Sequence, residues 1–209
     1  MSSDSSSHGN TGQSDSSRND SSWRLARQNR IDTRDLNSDS PQAFAALVER
    51  YQQPIFSFLG RMGFSQATAE DIAQESFLKV WRYRKRYNPA KGRVFTWMFT
   101  ITRNLALNEI QRAQRAPYEL DTPDAITDPT QDPAITAENT QARRRLQQAL
   151  TTLSASDRMT IALDFADALS ARECAHLENC SEASFRTRVS RARQRLIKAY
   201  HNLEFNHDR

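Results

Sequence analysis

Glycine is scarce in this chain, five residues in 209, and nowhere do the glycines cluster into a phosphate-cradling loop. No Ser/His/Asp grouping stands out either, so the sequence offers no catalytic constellation and no enzyme is expected. Cysteine is limited to Cys174 and Cys180, too few and too close for a disulfide framework, which points to a reducing cytoplasm. A Cys174/His176/Cys180 metal site would lack a fourth ligand and the usual spacing, so no metal or cofactor is expected; free cysteine packs as a small hydrophobe. No stretch approaches the ~18 apolar residues of a membrane span, and the N-terminus lacks the apolar core of a signal peptide. Apolar residues make up only 37% of the chain and the mean hydropathy is −0.77. That is low for one compact globule and fits two small helical domains with disordered segments. No segment alternates with period two, so no sheet is expected.

Positive charge and aromatic rings are concentrated instead. From Lys79 to Arg115 stand ten basic residues against one acid, Glu109, with Phe77, Trp81, Tyr83, Tyr87, Phe95, Trp97 and Phe99 among or beside them. Cations that neutralise phosphate, interleaved with rings that stack on bases, suit single-stranded nucleic acid. The same rings also suit a core, and the same cations a solvated face. The formal charge of +4 and pI near 9.3 lean mildly toward an anionic partner.

Residues 1–22 are mostly Ser with Asp, Asn and Gly, too polar to offset chain entropy, and are expected to be disordered. Residues 23–40 are ambiguous, with a short helix conceivable around Trp23–Gln28. Ser40-Pro41 reads as an N-cap with proline at the first helical position. Phe44, Leu47, Val48 and Tyr51 then follow helical spacing. Pro54 interrupts the pattern, Ile55, Phe56, Phe58, Leu59 and Met62 resume it, and Gly63 stops it. Ser65 or Thr68 caps a helix carrying Ala69, Ile72, Ala73, Phe77, Val80 and Trp81. Asn88–Gly92 is a loop, and 96–114 is helical again. Residues 117–141 hold four prolines and six acids without Lys or Arg, an extended acidic linker or mere spacer. Leu146, Leu150 and Leu153 mark the next helix, 157–165 another, and 170–178 a short one. Asn179 sits where a helix–turn–helix needs left-handed geometry. Ser181 caps the last helix, with Glu182 in its first turn and Phe185, Val189, Ala192, Leu196 and Ala199 along one seam. Arg186, Arg188, Arg191, Arg193, Arg195 and Lys198 fill the other faces, as in a major-groove recognition helix or a solubilising surface.

Together, AEDIAQESFLKVW and WMFTITRNLALNEIQR resemble region 2 of the bacterial sigma factors. LSARECAHLENCSEASFRTRVSRARQRL resembles region 4. The order and spacing resemble the small extracytoplasmic-function (ECF) group of the sigma-70 family. Five positions depart from the family pattern: Ser154 stands for proline, Ala168 and Asn179 for glycine, Glu178 for an apolar residue and Phe185 for a smaller one. Cys174 and Cys180 fall where aliphatic core residues are usual.

The resemblance implies an all-α protein of two small helical domains, a region 2 bundle and a region 4 helix–turn–helix, joined by a flexible acidic linker. Its segments would be a disordered extension over 1–39, region 2 over 40–115, the linker over 116–141, region 4 over 142–203 and a tail over 204–209. Asp71, Gln74, Glu75 and Phe77 would bind the clamp helices of the polymerase β′ subunit, and the β flap would be a second contact. The loop from Tyr83 to Val94 and the helix from Phe95 to Arg112 would take the −10 element as single strand, through Tyr83, Tyr87, Asn88, Trp97, Arg103, Asn104, Asn108 and Arg112. Ser184, Arg186, Thr187, Arg188, Ser190, Arg191 and Arg193 would read the −35 element as duplex. The linker would follow the polymerase's RNA path. Core RNA polymerase, promoter DNA and an anti-sigma factor are the implied partners, with no membrane insertion. Two rivals stand beside this: a helix–turn–helix regulator that never replaces a sigma subunit, and a sigma-like protein-binding adaptor.

Overall fold

The computed structural model describes residues 27–115, 137–166 and 168–205. The disorder expected for 1–22 and most of the acidic linker lie outside these residues. Eight α-helices are present among them: α1 over 27–37, α2 (Pro41–Arg61), α3 (Gln66–Tyr83), α4 (Val94–Arg115), α5 (Ala137–Thr152), α6 (Ala155–Asp164), α7 (Ala171–Leu177) and α8 (Glu182–Phe205). No strand occurs among the described residues, as the lack of period-two alternation implies.

Serine starts most of these helices. Ser40, Ser65, Ser154 and Ser170 each accept a backbone N–H from the first turn, satisfying a donor that the helix itself cannot. Ser181 does the same for Ser184 N at the head of α8. The serine standing in place of proline at 154 is therefore a working cap. Pro54 does not interrupt α2, which runs through it unbroken; the flanking turns are anchored by buried Tyr51, Ile55, Phe58 and Leu59, and packing outweighs the lost N–H. Gly63, just past the C-cap Met62 of α2, takes φ 86, a left-handed geometry that favours glycine.

Two expected boundaries shift. The segment 1–39, read as disordered, contains α1, in which Leu36 is fully buried and Asp32 and Asp35 nearly so. Arg50 reaches Asp32 at 2.6 Å and Asp35 at 3.6 Å, and Tyr51 donates its hydroxyl to Asp32. Burial, then the facing Asp32 carboxylate, pushes the Tyr51 phenol far up. Asn29 of α1 accepts from Val94 N at 2.9 Å and so caps α4 from another element. Likewise α5 begins at Ala137, inside the expected linker.

Helices α2, α3 and α4 pack together, while α5, α6 and α7 pack on α8. The first core is built on rings: Tyr51 stacks on Phe95 at 4.6 Å, and Phe58 meets Phe99 edge-on at 4.5 Å. The second is built on Met159, Leu163, Leu177, Phe185 and Val189. Helix α2 also meets α6, and one continuous cluster of buried side chains runs through both groups.

Candidate nucleic-acid interface

Helix α7 is held by a capping box: Ser170 accepts from Glu173 N, and the Glu173 carboxylate accepts from Ser170 N at 2.9 Å. It ends at Glu178. Asn179 then takes φ 50 and turns the chain into α8. The short helix, left-handed residue and long basic helix are the helix–turn–helix that the sequence implies. Phe185, Val189 and Ala192 are buried along the seam of α8; Leu196 and Ala199 are half-buried. The larger side chain at 185 fits, at 2% exposure.

The remaining faces of α8 are open. Ser184, Thr187, Ser190 and Arg191 are exposed, and Arg186 is 73% exposed with Glu182 at 3.7 Å. Farther along, the arginines lie on carboxylates: Arg188 on Glu178 at 3.3 Å, Arg193 on Asp164, and Arg195 on Asp157 at 2.6 Å. These pairs orient the guanidinium groups while leaving them about half exposed, where phosphate can compete.

The aromatic residues of the 77–99 stretch divide. Phe95 and Phe99 are core. Tyr87 is buried too; its hydroxyl donates to the Gly92 carbonyl at 2.9 Å and closes the loop, so the ring is not free to take a base. Asn88 spends its side-chain oxygen on Ala90 N. Trp97 is half-buried with Tyr87 at 5.7 Å, and Tyr83 is half-buried with Arg86 over its ring at 4.8 Å. Phe77 and Trp81 are half-buried as well but line the groove described next, so Trp97 and Tyr83 are the rings with accessible surface beside the loop. On α4, Asn104 and Asn108 are exposed, and Arg112 is exposed with Glu109 at 2.8 Å. Arg103 is half-buried, next to Asn104 and 3.7 Å from Glu178.

A third surface lies between α2 and α3. Phe44, Val48, Gln52 and Phe56 recur every four residues along α2 and face Gln74, Phe77, Leu78 and Trp81 of α3 across a groove of about 580 Å³. Of the residues implied for polymerase binding, Gln74 and Phe77 line it; Asp71 is exposed and Glu75 half-buried on the same helix. Leu78, 53% exposed, adds an apolar edge that sequence reasoning passed over.

Sequence reasoning also missed the residues that join the halves. Arg93 makes a bidentate pair with Glu173 (Nε to Oε1 2.7 Å, Nη2 to Oε2 2.6 Å) and donates to the Ala168 carbonyl at 2.7 Å. Thr96 donates to Glu173 as well. Burial raises the Glu173 carboxyl, but the donors from Arg93, Thr96 and Ser170 outweigh it and hold it at about 2. Arg61 of α2 donates to the Phe165 carbonyl at the end of α6 (2.9 Å), and Arg158 of α6 donates to the Met62 carbonyl at the end of α2 (3.1 Å). Each places a cation at the other helix's negative end. The Ser-x-x-Glu spacing at 170–173 was the one available signal for Glu173. Cys174 is buried, its thiol set on the Leu163 carbonyl and pushed up to about 12 by burial, so it packs as core; Cys180 is half-buried.

Comparison with known proteins accords with this geometry. The sigma-70 region 2 model matches residues 47–116, and a sigma-70 region 4 model matches 143–196. The ECF RNA polymerase sigma factor RpoE of Cereibacter sphaeroides is 30% identical over 156 residues, covering 74% of this chain and 84% of that protein. The probable RNA polymerase sigma factor RfaY of Xanthomonas campestris is 29% identical over 157 residues, but the match spans only 39% of that longer protein. The solved sigma factor RpoE of Bartonella quintana, in complex with the anti-sigma factor NepR, shares the fold at a TM-score of 0.58 and 23% identity, covering 75% of this chain and 95% of that one.

Proposed function

The chain belongs to the sigma-70 family, in its ECF group, and from that footing we propose how its surfaces divide the work of transcription initiation. Sigma factors are non-enzymatic initiation factors, and this chain acts by binding. Its place of action is that of RNA polymerase, the cytoplasm; no helix among the described residues is long and apolar enough to cross a membrane.

The α2–α3 groove takes core polymerase. The single observation that carries this is the groove itself: an apolar trough lined by Gln74 and Phe77, sharing no residue with α4 or α8. A surface separate from the basic helices lets one chain hold polymerase and DNA together. The four-residue repeat along α2 runs about 18 Å, the reach of a helix laid alongside. Helix α8 reads −35 duplex, with Ser184, Arg186, Thr187, Arg188, Ser190 and Arg191 toward its exposed start and Arg193, Arg195 and Lys198 set for phosphate. Helix α4 and the loop before it hold the opened −10 strand, with Trp97 and Tyr83 offering ring surface and Asn104, Asn108, Arg103 and Arg112 polar contacts. Tyr87 and Asn88 shape that loop. The region 2 unit runs from α1 to α4, and the region 4 unit from α5 to α8. An anti-sigma factor is the expected inhibitor, as in the Bartonella complex.

Transcription in vitro with core polymerase on a genomic library tests this reading. Discrete start sites that depend on the protein are expected. Duplex binding without any transcription would make it a regulator of another class.

A further inference from the structure

Helix α1 lies ahead of the residues that match the region 2 model, which begin at 47, and the functional reading gives it no surface of its own. Its charges are sorted by sign. The two acids are turned inward. Asp32 accepts from Gln28 at 2.9 Å, from Arg50 at 2.6 Å and from the Tyr51 hydroxyl, and Asp35 lies 3.6 Å from Arg50. The three cations, Arg27, Arg30 and Arg34, are exposed. Spaced at i, i+3 and i+7, they share one face, opposite the buried Asp32, Asp35 and Leu36. Among the described residues no carboxylate pairs with Arg27 or Arg30; Arg34 meets its neighbour Asp35 at 3.2 Å and keeps 79% of its side chain exposed. A solubilising face ordinarily mixes both signs. This one is purely positive, because its acids are spent inside.

The position of that face is as informative as its charge. Asn29, between Arg27 and Arg30 in sequence, accepts from Val94 N at 2.9 Å and fixes α1 against the first turn of α4. Tyr51, held by Asp32, stacks on Phe95 of the same turn at 4.6 Å. Exposed Lys91 stands three residues ahead of Val94. The arginine face is thus anchored beside the start of α4 and the loop that leads into it. From Arg27 to Arg34 the helix rises about 10 Å, room for about three phosphates at roughly 3.4 Å per nucleotide of a strand.

We infer that α1 carries an accessory DNA-backbone surface, on which Arg27, Arg30 and Arg34 neutralise phosphates of the opened strand where it passes the start of α4. Backbone contacts add affinity without regard to sequence. An acidic protein surface is the other partner that such a face suits. Single-stranded DNA is favoured because α1 abuts α4 and contributes no residue to the α2–α3 groove assigned to polymerase. The inference rests on α4 and its loop holding the −10 strand.

The test compares equal charge changes at two places. R27Q/R30Q removes two cations from α1, and R143Q/R144Q removes two from α5, which has no assigned DNA contact. Each full-length variant is assembled with core polymerase and titrated onto a fluorescein-labelled, pre-melted bubble of mixed sequence over a series of salt concentrations. R27Q/R30Q should keep wild-type circular dichroism and assemble fully with core. Its plot of log affinity against log salt should flatten by about 1.4, at about 0.7 per single-strand phosphate. Its binding at low salt should be roughly tenfold or more weaker. R143Q/R144Q should match wild type, and R27K/R30K, which keeps the charge, should restore the wild-type slope. An unchanged slope in R27Q/R30Q would overturn the inference, and so would an equal fall in R143Q/R144Q, which would reduce the effect to net charge. Lysines that fail to restore the slope would overturn it as well. Loss of assembly with core, with DNA binding unaltered, would assign the face to a protein partner instead. W97A/N104A separates this from the functional reading: if R27Q/R30Q flattens the slope and W97A/N104A leaves affinity unchanged, the α1 surface stands and the strand-holding role of α4 falls.

Discussion

At the residue scale, the arginines of α8 separate into two kinds. Arg188 sits near the start of the helix with its guanidinium oriented by Glu178, and Lys198 lies near the end on an exposed face. A bidentate arginine–guanine pair contributes ~1–3 kcal/mol of discrimination, whereas a phosphate contact contributes without regard to sequence. R188A should therefore flatten preference at one promoter position, and K198A should weaken all sites alike and reduce salt dependence; binding measured over a promoter library distinguishes them. Equal loss of preference from both would remove the division. The composition of α8 made its arginines legible as a solvent-facing cationic set. The partners of Arg193 and Arg195 were not legible, because Asp164 and Asp157 come from another helix, 29 and 38 positions away in sequence. The aromatic residues were legible only as a group. Which of them stack inward is decided by α2, so Phe95 and Phe99 read as candidates until Tyr51 and Phe58 are found against them.

At the element scale, helices with an apolar stripe or a serine cap were readable, and α1 was not. Its buried residues are Leu36 and two acids, so it has no hydrophobic period to detect; it is held by Arg50, Tyr51 and the Asn29 cap on α4. N29A should leave Val94 N without its acceptor and cost about 1 kcal/mol, as lost side-chain caps do. The check is a lower urea midpoint together with faster hydrogen exchange at the start of α4. Unchanged exchange there would show that α1 does not position the helix. The loop from Arg84 to Arg93 had the reverse fate: its proline and glycine announced it, but not that Tyr87 folds inward to close it.

At the scale of the whole molecule, separate halves were readable and their closure was not, because each polar contact across it pairs residues far apart in sequence. Glu173 gives that closure a pH dependence. Its carboxyl is held at about 2 against an ordinary 4.5, so its stabilising contribution is complete above pH 4.5 and is lost as pH falls from there toward 2. The gap in melting temperature between wild type and E173Q should be constant above that range and close on acidification. A gap that persists at pH 2 would deny the ion pair its role. The claim on which the account turns is that the chain docks on core polymerase through the helix from Asp71 to Phe77. Gel filtration with core polymerase tests it directly, comparing wild type with D71R/Q74A, whose helicity is checked by circular dichroism. The account predicts that wild type co-elutes in a stoichiometric complex and that the folded double variant does not. A variant that co-elutes as completely as wild type, or a wild type that forms no complex, would contradict it.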